Sequence, residues 1–144
     1  MASLTYLVEA LGGRKVFREK LADYNAVRDR GRQGLSYAAV EAVAARYDIP
    51  TATLVRVLHI PPRTLARRKK ERQLRPDESD RLLRLARIAA LAEETLGTRE
   101  KATSWLHGSI RALGSVSPLE VLDTDVGARQ VEQILGRISY GVYS

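Results

Sequence analysis

The sequence predicts an all-α protein with a helix-turn-helix in its front half, a long helix in the middle and a small helical module behind. Three observations carry this. Apolar residues recur at three- and four-residue spacing along most of the chain, no run sustains the alternation of a half-buried strand, and glycine and proline fall where helices would end or begin. A chain of 144 residues, 44% hydrophobic and 28% charged, has the composition of an ordinary globular protein and is long enough for one sizeable core or two small ones.

The spacing of Leu4, Leu7, Val8 and Leu11 predicts a first helix, stopped by Gly12-Gly13. A second amphipathic stretch groups Phe17, Leu21 and Tyr24, and Arg28 to Gly34, mixing charges with two glycines, reads as an exposed loop or linker. Ser36 suits the N-cap of a helix with Ala39, Val40, Val43 and Ala44 on one face, ending before Pro50. Two short helices follow, about Thr51 to Leu58 and Pro62 to Gln73. Pro76 then opens a long helix, with Asp77 and Glu78 near its positive end and Leu82, Leu85, Ala89, Ala92 and Leu96 along one face, ending at Gly97. Thr98 caps a further helix holding Trp105 and Leu106, Pro118 starts a short turn, and Asp123-Thr124 precedes a last helix with Ala128, Val131, Ile134, Leu135 and Ile138 inward. The expected division is residues 1–75 and 76–144.

Composition excludes several chemistries. Without cysteine there are no disulfides, thiolate metal sites or thiol nucleophiles. The longest strongly apolar run, Ile88 to Ala92, is far short of a membrane span, and the N-terminus has no signal-peptide core, so a cytoplasmic location without membrane contact is expected. Net charge is uneven: residues 1–75 hold 16 Lys/Arg against 7 Asp/Glu, or +9, whereas residues 76–144 hold 8 against 10, or −2. A basic front half favours a polyanion, because binding releases condensed counterions.

Thr51 to Arg72, within a unit of about 36–73, has the layout of a helix-turn-helix. Leu54, Val55, Leu58, Ile60 and Leu65 would form its seam, and the second helix carries Arg63, Thr64, Arg67, Arg68, Lys69, Lys70 and Arg72. That density of cations repels itself unless an anion lies alongside, and operator DNA is the expected partner. Arg63 and Arg67, early in the helix, are candidates for reading bases; Arg68, Lys69, Lys70 and Arg72 are candidates for phosphates. Two features do not fit an ideal motif: His59 stands where glycine suits a left-handed backbone, and Pro61-Pro62 offers no side-chain oxygen to cap the second helix. One motif contacts few phosphates, so a homodimer is expected.

Behind the long helix, Trp105-Leu106, Ala112-Leu113-Gly114, Ser117-Pro118-Leu119, Leu122-Asp123-Thr124, Gly127-Ala128-Arg129, Val131 and Leu135-Gly136-Arg137-Ile138, with Gly141-Val142-Tyr143-Ser144, form a spaced series. This series resembles the Xre/MbcA/ParS family of antitoxins, and the likeness extends forward through Arg63-Thr64-Leu65-Ala66-Arg67-Arg68 and Glu78-Ser79-Asp80-Arg81-Leu82 to Leu11-Gly12-Gly13. The chain departs from the family pattern at Gly108-Ser109, where Pro-Asn is common, and at Ser115, where a second glycine is common. The resemblance implies a C-terminal toxin-binding domain, a RES-domain toxin partner related to ADP-ribosyltransferases and acting on NAD, and repression of the shared promoter. The NAD chemistry would belong to the partner, and the chain itself needs no cofactor.

Tyr140 to Ser144 reads as a short tail able to enter a catalytic cleft, with two aromatic rings for anchoring and a carboxylate suited to a pyrophosphate-accepting site. The toxin-binding candidates are therefore Arg129, Arg137, Tyr140, Gly141, Val142, Tyr143 and Ser144. The alternatives are that Tyr140 and Tyr143 fold back on the last helix and that Arg129 and Arg137 are solvated. Trp105, flanked by Ala102 and Leu106, reads as core. An enzyme finds little support: His59 and His107 lie in unrelated segments, no glycine-rich phosphate loop is present, and no nucleophile has an evident base. No catalytic residue or metal ligand is assigned. A stand-alone regulator whose rear half binds a ligand or dimerises is the competing reading.

Overall fold

A computed structural model describes residues 2–141, which form ten α-helices and one 3₁₀ turn, with no β-strand among the described residues. The helices are α1 (Leu4–Ala10), α2 (Arg14–Phe17), α3 (Tyr24–Gln33), α4 (Tyr37–Arg46), α5 (Thr51–Leu58), α6 (Pro62–Glu71), α7 (Pro76–Leu96), α8 (Arg99–His107), α9 (Pro118–Val121) and α10 (Asp125–Ser139), the 3₁₀ turn spanning Arg111–Leu113. The all-α expectation holds, as do the caps read from the sequence. Ser36 Oγ accepts from the Ala38 amide, Thr98 Oγ1 from Lys101 and Thr124 Oγ1 from Gly127, each satisfying an amide that the first helical turn leaves without a partner.

α7 is the axle. Its 21 residues reach about 31 Å at 1.5 Å each, and Leu82, Leu85, Ala86, Ile88, Ala89, Ala90 and Ala92 are fully buried. α1, α3, α5, α8 and α10 all pack against it, which is why the helix is apolar nearly all round at its centre. The apolar core is continuous, running from Ala2 through the helix-turn-helix and α7 to Leu135.

Two readings of the sequence are overturned here. Arg28 to Gly34, expected as a loop, forms most of α3, which Asp23 caps by accepting from the Ala26 amide at 2.9 Å. Gly31 is a contact and not a breaker: a Cβ there would stand 2.8 Å from Cδ1 of Leu83 on α7. The helix stops at Gly34, whose φ of 96° no side chain tolerates well. The single stretch expected through Phe17, Leu21 and Tyr24 is likewise divided, since Phe17 ends α2 with Arg18 left-handed behind it, while Tyr24 begins α3.

Polar side chains fix α7 to its neighbours. Glu93 accepts from Arg46 at 3.0 and 2.7 Å and from the buried Tyr47 hydroxyl at 2.8 Å, tying α4 to α7. Burial alone would raise the Glu93 carboxyl, but these bonds outweigh it and hold the group below the ordinary carboxylate value. Burial and the same carboxylate push the Tyr47 phenol well above its usual range. His107 Nε2 donates to the Tyr47 carbonyl at 2.9 Å, so α8 joins the same cluster.

Candidate DNA-reading motif and toxin-binding helix

α5 and α6 meet through the turn His59-Ile60-Pro61. His59 adopts the left-handed conformation (φ 55°, ψ 41°) that the motif requires, which histidine tolerates better than a β-branched residue, and its amide bonds back to Arg56. Leu54, Leu58, Ile60 and Leu65 are buried as the spacing predicts. Val55 is half-buried and Val57, three residues after Leu54 on the same face, is the fully buried member that the seam read from the sequence omits. Pro61 precedes Pro62 at the first helical position, and no side chain caps α6.

The cations of α6 divide by face. Arg63, Arg67 and Lys70, at spacings of four and three, point outward with Ala66; Thr64 is half-buried beside them, while Lys69 and Arg72 are exposed at the flank and at the end. Arg68, expected to face phosphate, does not. It lies three residues after Leu65 on the inward face, 4% exposed, donating from Nε to Glu78 at 2.7 Å and from Nη1 to Glu71 at 3.1 Å. The Arg75 amide donates to the same Glu78 oxygen at 2.8 Å. Burial alone would raise the Glu78 carboxyl, yet these donors hold it below its ordinary value. Arg68 therefore closes the motif onto α7. Arg63, Arg67, Lys69, Lys70 and Arg72 have no carboxylate partner among the described residues, which leaves a cationic ridge for an anionic ligand.

The rear module is clamped to this motif. Arg56 of α5 donates to the carbonyls of Leu119 and Glu120 and lies 3.9 Å from the Asp123 carboxylate. His59 Nε2 donates to the Asp123 carbonyl at 2.6 Å, and Arg84 donates to Leu122 at 3.1 Å. These contacts are absent from the sequence reading, because they join residues more than 35 positions apart with no periodic signal.

α10 leaves the core with one face uncovered. Gly127, Ala128, Val131 and Leu135 are buried, and Arg87 of α7 meets Glu132 at 2.7 Å. Gly127 is demanded by packing: a Cβ would fall 1.7 Å from the Val121 carbonyl oxygen. Arg129 is exposed and pairs with Asp125 at 2.8 Å, Arg137 is exposed, and Tyr140 is 87% exposed, so it does not fold back onto the helix. Gly141 is exposed as well, and the expected tail residues Val142, Tyr143 and Ser144 lie outside the described residues. Trp105 is half-buried against the core. Among the described residues no group of three or more His, Asp or Glu is placed to hold a metal ion, and no helix is long and apolar enough to cross a membrane.

A helix-turn-helix with a free cationic ridge, fused through a shared helix to a second helical module, defines the class of small regulatory binding proteins. Comparison with known proteins narrows it. The family model of the antitoxin Xre-like helix-turn-helix domain matches residues 27–87, and that of the antitoxin Xre/MbcA/ParS C-terminal toxin-binding domain matches residues 91–141. An antitoxin Xre of Yersinia enterocolitica is 33% identical over 118 residues, covering 81% of this chain and 80% of its own. An antitoxin Xre of Photorhabdus laumondii is 32% identical over 114 residues, covering 78% and 77%. A protein of a Sphingobium species named Prs ADP-ribosylating antitoxin is 26% identical over 123 residues, covering 78% and 77%. The chain belongs to the Xre family of antitoxins, the neutralising components of toxin–antitoxin systems and not a family of enzymes.

Proposed function

We propose that this antitoxin neutralises a RES-type, NAD-consuming toxin by blocking its active site, and that it represses its own operon as a homodimer in the cytoplasm. The observation that carries the first part is the end of α10: within the segment matched to the toxin-binding domain, Arg137, Tyr140 and Gly141 stand free in solvent at the helix terminus. A rigid helix that delivers an aromatic ring and the residues after it, Val142, Tyr143 and Ser144, can fill a partner's cleft and exclude substrate by volume. Arg129 and Arg137 supply cations beside it. The name of the Sphingobium relative supports an NAD-dependent partner, since ADP-ribosylation consumes NAD.

Repression rests on α6. Arg63 and Arg67 reach base edges in the major groove, and Lys69, Lys70 and Arg72 neutralise phosphates, with Thr64 at the edge of the contact. Two copies supply the phosphate contacts that tight operator binding needs.

Co-expression with the protein encoded beside it tests the reading. The full chain should restore viability to cells expressing that neighbour, and a chain lacking residues 141–144 should fold yet fail to protect. Equal poisoning with and without the antitoxin refutes neutralisation, and full protection by the shortened chain refutes the role of the tail.

A further inference from the structure

Between α3 and α7 lies a cavity of about 540 Å³ to which α6 contributes no residue. Its size is that of a small-molecule site, for which about 300–1,000 Å³ is usual. Gly31 and Leu83, where the two helices touch, both line it. α3 supplies Arg28 and Arg32, one turn apart, and α7 supplies Asp80, Arg84 and Arg87 at spacings of four and three, so each helix turns a charged row toward the same space. With Asp125 at the start of α10, the lining sets four arginines against two carboxylates. Tyr24, Val27 and Leu83 add apolar surface. The Tyr24 hydroxyl is already bonded to the Ala2 carbonyl, which leaves the ring as its contribution to the cavity.

These arginines are short of acceptors. Arg28 and Arg32 share a single exposed acid, Asp29, at 3.3 and 3.8 Å, and Arg87 meets Glu132. Arg84 donates from Nη2 to the Leu122 carbonyl at 3.1 Å, while its Nε is the one buried side-chain atom among the described residues that has no hydrogen-bond partner. A buried donor without an acceptor is a cost that folded proteins rarely carry, and an anion brought into the cavity offers the missing acceptor. Four guanidiniums from two walls hold more N–H donors than the two oxygens of a carboxylate accept, whereas a phosphate or diphosphate matches them and takes arginine in its bidentate mode. The apolar part of the lining calls for a flat body on the same molecule, and an aromatic ring beside guanidiniums is a surface on which a base stacks.

We infer that this cavity binds a nucleoside phosphate, with Arg32, Arg84 and Arg87 holding the phosphates and Tyr24, Val27 and Leu83 receiving the base. The site stands apart from neutralisation and from operator binding, since neither of those readings uses α3 or this face of α7. An occupant touches α3, α7 and the start of α10 at once, and so braces the front of the chain against its rear.

ADP titrated into the full-length antitoxin, followed by amide chemical shifts and by calorimetry, tests the site, with pyrophosphate and adenosine as separate arms. Saturable shifts should appear at Gly31, Leu83, Arg84 and Asp125, and ADP should bind at least roughly tenfold more tightly than either part alone. Arg32→Gln changes an exposed side chain and leaves the core intact, and it should weaken ADP binding roughly tenfold, as should Arg84→Gln. Asp80→Asn removes a repelling carboxylate from the cavity and should tighten binding about threefold. Arg99→Gln, an equal loss of charge on α8 outside the cavity, should change nothing. The absence of a saturable shift overturns the site, as do shifts confined to α6. Equal losses in Arg99→Gln and Arg32→Gln also overturn it, because binding would then follow net charge alone. Pyrophosphate binding as tightly as ADP removes the base from the account and overturns the ligand class.

Discussion

Arg68→Ala should cost stability and leave DNA affinity intact, the reverse of what its place in a run of cations suggests. The Arg68 and Glu78 side chains are 5% and 8% exposed, with Nε 2.7 Å from Oε1. Truncation leaves a buried carboxylate without its cation, and breaking a buried pair in this way costs about 3–5 kcal/mol. Two features set the lower end of that range. The Arg75 amide still donates to Glu78 at 2.8 Å, and the Glu71 carboxylate that Arg68 also meets is half exposed, a contact worth under about 1 kcal/mol. A loss of about 3 kcal/mol lowers Tm by roughly 6–12 °C in a chain of this size. Arg68→Met combined with Glu78→Gln removes both charges and keeps an oxygen for the Arg75 amide, so it should recover most of the loss. The assay is urea denaturation of each full-length variant, followed by DNA titration at a temperature where all are folded. A stability change under about 1 kcal/mol with a tenfold drop in DNA affinity would place Arg68 on the outside and refute the argument.

Acid should unfold the protein through Glu78 and Glu93. Both carboxyls are held below the ordinary carboxylate value of 4.5, so their contribution is complete above that pH and drains away as pH falls below it, and Glu93→Gln should flatten the acid limb of a stability–pH curve. Tyr47 acts with the opposite sign: its phenol is raised above 10.0, so its contribution is complete below pH 10 and is lost as the pH climbs beyond. Tyr47→Phe, compared by alkaline titration of circular dichroism, should soften that limb. Gly127→Ala should destabilise by about 1–3 kcal/mol in chemical denaturation, because α10 must shift from the Val121 carbonyl. On α6, Lys69→Ala or Lys70→Ala should each reduce the slope of log K against log salt by about 0.9 per lost phosphate contact on a random duplex. Arg63→Ala or Arg67→Ala should instead cost about 1–3 kcal/mol on the operator.

The elements that local chemistry specifies were legible in the sequence. Gly12-Gly13, Ser36, Pro76, Gly97, Thr98 and Thr124 delimit helices as their caps and dihedral preferences dictate, and the Leu54–Leu65 seam gives the motif its place. His59 argued against that motif, yet the structure shows a histidine holding the left-handed turn while its ring bonds Asp123, a long-range contact that offsets the local strain. α3 is not legible in the sequence, because Gly31 signals a breaker when read locally and a close helix contact only with Leu83 opposite it. The burial of Arg68 was partly legible: Leu65 and Arg68 at i and i+3 share a face, and Glu78 opens the next helix. A run of positive residues, taken whole, hid that spacing.

The placement of the helix-turn-helix relative to the segment matched to the toxin-binding domain follows from α7. The matched family segments meet between residues 87 and 91, inside that helix, where Ile88, Ala89 and Ala90 are fully buried and Leu91 half-buried, so neither module owns the boundary. The front half closes on α7 through Arg68–Glu78 and Arg46–Glu93, and the rear closes on it through Arg87–Glu132. Arg56 and His59, from α5 and the turn of the helix-turn-helix, grip the carbonyls of residues 119, 120 and 123 directly. The distance from the cationic ridge of α6 to the open face of α10 is therefore set by side-chain contacts and a continuous apolar core, and not by a linker. Any partner that displaces α9 must break the Arg56 contacts with Leu119 and Glu120, and one that also shifts Asp123 breaks the His59 contact, which places the left-handed turn of the helix-turn-helix in the path of the disturbance.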